Sequence, residues 1–126
     1  MRALLDTSIV IAADVGGLEG ELAISSVTLA ELHFGILVAK TAETRAERLR
    51  RLSVLQRQFD ALPLDEAVAA SYGQIAAAVV QAGRQPRART MDLLIAATAH
   101  AHSARLYTRN PDDFVGADKY VEIVSA

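Results

Sequence analysis

The chain has 126 residues, 52% of them apolar and 22% charged, with a mean hydropathy of +0.22. That is ample material for one core, too little length for two, and the wrong composition for a disordered tail. With 13 basic against 15 acidic residues the formal charge is −2, so a polyanion would have to be gripped by a local patch; the absence of cysteine removes disulfide frameworks, thiolate zinc sites and cysteine nucleophiles together.

Ala3-Leu4-Leu5 is a continuous apolar run, the pattern of a parallel strand buried on both faces. It ends at Asp6-Thr7-Ser8, where Thr7 or Ser8 can cap a helix over Ile9–Ala13 that stops before Gly16-Gly17. The five residues before Asp6 are too few for an export signal. Leu22–Ser25 reads as a second strand. Thr28 followed three residues later by Glu31 has the spacing of a capping box, predicting a helix to about Lys40. Residues 43–60 set Leu49, Leu52, Leu55 and Phe59 on one helical face and arginines on the other, with Glu47 and Arg51 spaced for an i,i+4 pair.

Leu62-Pro63-Leu64 predicts a short edge strand, since Pro63 cannot donate to a ladder. A helix over Ala67–Ala82 ends at Gly83, and a basic loop follows with Arg84, Arg87 and Arg89. Thr90-Met91-Asp92 open a helix that is apolar all round from Leu93 to Ala101 and therefore buried beside a sheet. Arg105–Thr108 and Val121–Val124 are the remaining predicted strands. Strands alternating with helices imply an α/β fold, a parallel sheet with right-handed crossovers. Nothing approaches the roughly 18 apolar residues of a membrane span, so a soluble, cytoplasmic protein with no membrane partner is expected.

In open parallel sheets ligands sit at the carboxyl ends of strands, and the acids fall there. Asp6 ends the first strand, Glu31 lies in the first turn after the second, Asp92 opens the buried helix, and Asp112 and Asp113 follow the Tyr107-Thr108 strand. A carboxylate in a first helical turn has an ordinary explanation, a dipole interaction of about 0.3–1 kcal/mol. Asp6 does not, because an unpaired charge in a buried strand costs several kcal/mol. If these groups converge, each like-charged pair at ~4 Å costs about 4 kcal/mol at an effective dielectric near 20. The cluster must then take up protons or a divalent cation. All-oxygen ligands suit Mg²⁺ or Mn²⁺, which lower the pKa of water and polarise a phosphoryl oxygen, the requirements of phosphodiester hydrolysis. Asp6→Asn or Asp92→Asn is expected to abolish such an activity and, by relieving repulsion, to stabilise the fold.

Leu4-Leu5-Asp6-Thr7-Ser8, Ser26-Val27-Thr28-Leu29-Ala30-Glu31-Leu32, Asp92-Leu93-Leu94-Ile95-Ala96-Ala97 and Leu106-Tyr107-Thr108-Arg109-Asn110-Pro111-Asp112-Asp113-Phe114 resemble, in order, the four motifs of PIN-domain ribonucleases, in particular the VapC-type toxins of toxin–antitoxin pairs. The resemblance spans the whole chain, residues 1–126 as one domain. It implies a three-layer α/β/α fold around a mostly parallel sheet of four to five strands. It implies an endoribonuclease with Mg²⁺ or Mn²⁺ held at Asp6, Glu31 and Asp92, of which Asp6 and Asp92 are the direct ligands, and with Thr108 close to the metal and scissile phosphate. Many relatives carry an acid where Asn110 stands; relatives with Asn there carry an Asp three residues on, which makes Asp113 rather than Asp112 the fourth acid. Arg84, Arg87, Arg89 and Asn110 border the pocket as candidate RNA contacts. A cognate VapB-like antitoxin, whose tail places a basic residue among the acids, and a homodimer are further implications, with the helical region around 45–57 as the clamp or dimer surface.

Two other readings compete. A non-catalytic protein-binding module on the same fold would have little reason to keep Asp6, Glu31 and Asp92 together. A phosphohydrolase of another α/β type lacks its signatures here: Ser8 stands where a haloacid-dehalogenase-like enzyme needs a second Asp, and no glycine-rich phosphate loop is present. His33, His100 and His102 are poor general bases, the last two being explained by a helix C-terminus.

Overall fold

In the computed structural model, which describes residues 1–12 and 15–126, the elements follow as β1 (Arg2–Leu5), α1 (Thr7–Ala12), β2 (Glu21–Ser25), α2 (Ser26–Leu37), α3 (Ala42–Gln58), β3 (Asp60–Leu62), α4 (Glu66–Gln81), α5 (Thr90–Ala101), β4 (Arg105–Thr108) and β5 (Ile123–Ser125). Short 3-10 turns cover Pro86–Arg89, Pro111–Phe114 and Ala117–Lys119. The strands lie in the order β3-β2-β1-β4-β5, each pair parallel. Side chains alternate along them. Leu4, Ala23 and Leu106 meet Val68, Ile75 and Val79 of α4 and Leu93 and Ile95 of α5. Ala3, Leu5, Ile24 and Tyr107 face Ile9 and Val10 of α1, with Leu55 and Phe59 closing that side. The chain first winds from β1 outward to β3, then returns past β1 to β4. Right-handed crossovers in opposite directions put their helices on opposite faces, giving three layers. Burying each Leu or Ile of the central layer contributes about 1.5–3 kcal/mol.

Several boundaries differ from the sequence reading. The cap of α2 is Ser25, whose hydroxyl accepts from Thr28 N at 3.0 Å. Ser25, Ser26 and Thr28 all offer a cap, and the end of β2 selects the first. Glu31 therefore lies in the second turn, and no capping box forms. The edge strand β3 ends at Leu62, with Pro63 terminating it instead of sitting inside it, and β5 starts two residues late because Val121 turns into the core. Arg51 does not pair with Glu47. Arg50 takes that carboxylate, and Arg51 donates to the C-terminal carbonyls of α1, at 2.7 Å to Ile11, where a cation also meets the negative helix end. Leu49, placed on the buried face by its spacing, is exposed. Ala13, the expected end of α1, lies outside the described residues.

The loop after β4 is locked against α4 by Gly116, which adopts φ +97°. A Cβ there would stand 2.8 Å from Val79 Cα. Gly116→Ala thus meets backbone in a left-handed conformation and is expected to destabilise by about 1–3 kcal/mol, read as a lowered urea midpoint at unchanged m-value.

Candidate active site

The sheet order reverses between β1 and β4, and the carboxyl ends at such a switch point are where an open parallel sheet forms its ligand crevice. Leu5 is in register with Tyr107, so the next residues, Asp6 and Thr108, stand side by side. Asp6 is 4% exposed, and its charge is met by hydrogen bonds. Thr7 N donates to Oδ1 at 2.8 Å; the hydroxyls of Ser8 and Thr108 both donate to Oδ2, at 2.9 and 2.7 Å. The hydroxyl oxygens accept in turn, Ser8 from Arg109 N at 3.1 Å and Thr108 from Asn110 N at 3.0 Å. Charge-assisted bonds of this kind offset the burial of a carboxylate. Thr108 is wholly buried, so its hydroxyl reaches Asp6 and not the open crevice.

Glu31, from α2, is half-buried and is tied to the end of β1 by the Thr7 hydroxyl, which donates to Oε1 at 2.7 Å. Behind Thr7 stands Thr28, the two hydroxyl oxygens 3.0 Å apart, and behind Thr28 stands Ser25 at 3.3 Å. Asp92 lies in the first turn of α5 but caps nothing. That helix has no side-chain cap, and among the described residues the Asp92 carboxylate accepts no hydrogen bond. Its pKa is pushed up to about 6, first by burial, then by the negative charges of Asp6, Asp113 and Glu31, with Arg89 pulling the other way. The fields of four acids therefore meet at one place.

Asp113 is half-buried on that side and pairs with Arg89 at 3.2 Å. Asp112 is exposed and contributes its backbone carbonyl, which accepts from Arg84 at 3.2 Å. Arg87 is exposed and makes no ion pair among the described residues, and Asn110 is exposed beside Thr108. Two histidines are engaged elsewhere: His100 Nδ1 is 2.8 Å from Ser71 Oγ, and His102 Nδ1 is 3.2 Å from Arg2; His33 is exposed on α2.

No three of the acids and histidines among the described residues close into a ready-made cage for an ion. Mg²⁺ needs no such cage, since it keeps several waters and takes one or two carboxylates. The donor set fits too: all oxygen, an excess of negative charge around one arginine, and a carboxylate at Asp92 left without a partner.

Beside the crevice, α1, α2 and α3 enclose a groove of about 380 Å³ whose lining runs from Thr7 and Glu31 to Phe34, Arg48 and Leu55. Phe34 and Ile11 in that lining are 67% and 59% exposed. Arg48 donates to Gly35 O at 2.5 Å and so forms part of the wall. Sequence reasoning missed the supporting hydroxyls of Ser8, Ser25 and Thr28. Their one signal is position: hydroxyl residues at, or three residues past, the ends of two buried apolar strands.

The family model described as PIN domain matches residues 3–120. The chain is 35% identical over 121 residues to Ribonuclease VapC5 of Mycobacterium tuberculosis, covering 91% of this chain and 87% of that relative, and 40% identical over 100 residues to Ribonuclease VapC8 of the same organism, covering 76% and 88%. The crystal structure of VapBC-5, a member of the VapBC family of toxin–antitoxin systems from Mycobacterium tuberculosis, superposes with a TM-score of 0.82 at 33% identity, covering 98% of this chain and 96% of that one.

Proposed function

The chain belongs to the PIN domain family, and from that premise we propose that it is a VapC-type endoribonuclease toxin, dependent on Mg²⁺ or Mn²⁺ and neutralised by a cognate antitoxin. The observation that carries the reading is the placement of Asp6, Glu31, Asp92 and Asp113 around the carboxyl ends of β1 and β4, near enough that burial and the charges of the other three raise the Asp92 pKa, with Arg89 opposing them. Asp6, Glu31 and Asp92 would hold the ion, Asp6 and Asp92 as its direct ligands, with Asp113 adding negative charge around it. When bound, such an ion supplies a nucleophile at neutral pH and draws charge from a phosphoryl oxygen.

The chain's own residues do the rest. Thr108 and Ser8 fix the Asp6 carboxylate from behind, so both are positioning residues. Arg89, held by Asp113 at the pocket edge, would meet a non-bridging phosphate oxygen, with exposed Arg84, Arg87 and Asn110 extending the track along the strand. Single-stranded or looped RNA fits best, because the crevice must reach the backbone. The two named relatives are ribonucleases, and the superposed structure is a toxin–antitoxin complex. A VapB-like antitoxin segment would lie in the apolar groove enclosed by α1, α2 and α3, whose lining includes Glu31. A second copy of the chain would meet the exposed small residues Ala70, Gly73 and Ala77 of α4. No helix among the described residues is long and apolar enough to cross a membrane.

The test is cleavage of an RNA panel in Mn²⁺, in Mg²⁺ and in excess EDTA, with the RNA ends sequenced. Cleavage should require the cation, and cutting that persists in EDTA overturns the metal reading. A thermal melt gives a second measure: a cation at a hundred times its Kd should stabilise the fold by about 2.7 kcal/mol.

A further inference from the structure

We propose that the hydroxyls of Ser25, Thr28 and Thr7 form a one-way hydrogen-bond chain that positions Glu31 for the metal ion, which makes Ser25 and Thr28 positioning residues of the site. The inference rests on the metal-dependent reading above and deepens it.

Counting protons sets the direction. An ionised carboxylate only accepts, so Thr7 must spend its single hydroxyl proton on Glu31 Oε1, 2.7 Å away. The contact between Thr7 and Thr28 at 3.0 Å then needs its proton from Thr28. Thr28 in turn accepts from Ser25, whose oxygen accepts from Thr28 N at 3.0 Å. Every proton has one destination, and the chain ends on the carboxylate. Reversing it would leave two donors facing each other or the carboxylate without its bond.

Helix capping does not account for this arrangement. Ser25 alone caps α2, and a valine at 28 would fill the same space with no polar group to satisfy. Thr28 is wholly buried, as is Ser25, so no bulk water competes and the linked bonds polarise one another. The chain also joins two segments 24 residues apart, at the ends of adjacent parallel strands. Glutamate has three rotatable side-chain bonds. Anchoring Oε1 fixes the group while Oε2 keeps no hydrogen-bond partner among the described residues. Outer partners that orient metal ligands in this way are worth about 10- to 100-fold in metal affinity.

The experiment compares the full-length wild type with Thr28→Val and Thr28→Ser by Mn²⁺ titration, with free Mn²⁺ read by electron paramagnetic resonance, and by RNA cleavage. Thr28→Val should weaken Mn²⁺ binding about 10- to 100-fold and lower kcat with KM for RNA unchanged, and Thr28→Ser should restore both. On a Glu31→Gln background Thr28→Val should cost nothing further, because the chain acts only through Glu31. If Thr28→Val does not fold, Thr7→Val and its rescue by Thr7→Ser carry the same comparison at the half-buried end. Wild-type Mn²⁺ affinity in the valine variants, or an equal loss on the Glu31→Gln background, overturns the chain and leaves the metal reading standing. A wild type that binds no Mn²⁺ overturns both.

Discussion

Asp92→Asn is expected to abolish RNA cleavage while making the protein more stable at pH 7. The loss should exceed about a hundredfold in kcat, since outer-shell partners of a metal alone reach 10- to 100-fold and Asp92 is proposed as a direct ligand. The gain in stability follows from the pKa of about 6 against the ordinary carboxyl value of 3.8. Between those values the folded protein binds more protons at Asp92 than the unfolded chain does. Stability from this group is therefore fully present below pH 3.8, falls as pH rises, and is wholly lost above pH 6. An unscreened shift of this size would correspond to roughly 3 kcal/mol, but half-exposure and solvent screening bring the expected gain to about 1 kcal/mol. Asn carries no charge and escapes the penalty. Urea midpoints should thus favour Asp92→Asn at pH 7 and converge with wild type near pH 4. Equal stability at both pH values would show that the four acids do not share a field. Mn²⁺ should stabilise the wild type and leave the variant unchanged.

Much of this was legible in the chain, and what was not has a common cause. Ala3-Leu4-Leu5 and Leu93–Ala101 announced a central strand and a buried helix because their apolar runs are continuous, which only a layer covered on both sides tolerates. Parallel winding then sends the strand ends to one edge, so Asp6 and the residues after Thr108 had to be neighbours wherever the helices lay. Local spacing misled where tertiary partners competed for the same group. Glu47 and Arg51 satisfy the i,i+4 rule, but the unpaired carbonyls at the end of α1 claimed Arg51. Thr28 has the spacing of a cap, yet its hydroxyl turns inward to Thr7. A contact across 21 residues leaves no periodic trace. The pairing of Asp113 with Arg89 is equally invisible, since it depends on how the Pro86–Arg89 turn meets the Pro111–Phe114 turn.

Asp6→Asn should also abolish cleavage but shift stability in the opposite direction, although the sequence alone treated the two acids alike. Asp6 is an acceptor for three donors, and two of them, Ser8 and Thr108, converge on Oδ2. Asparagine offers one accepting oxygen. If that oxygen faces Thr7 N, the amide NH₂ meets two hydroxyls that have just lost their acceptor; if the amide flips, NH₂ confronts the Thr7 N–H. Neither orientation satisfies all three donors. Thr108 is wholly buried and has no water to turn to, so the expected loss is about 1–3 kcal/mol. Asp92 has no such donors, and its neutralisation removes repulsion alone. Urea midpoints of the two variants at pH 7 should therefore fall on opposite sides of wild type. An Asp6→Asn protein as stable as Asp92→Asn would mean that the hydroxyls of Ser8 and Thr108 do not hold the Asp6 carboxylate, and with that Thr108 would lose its assigned role behind the site.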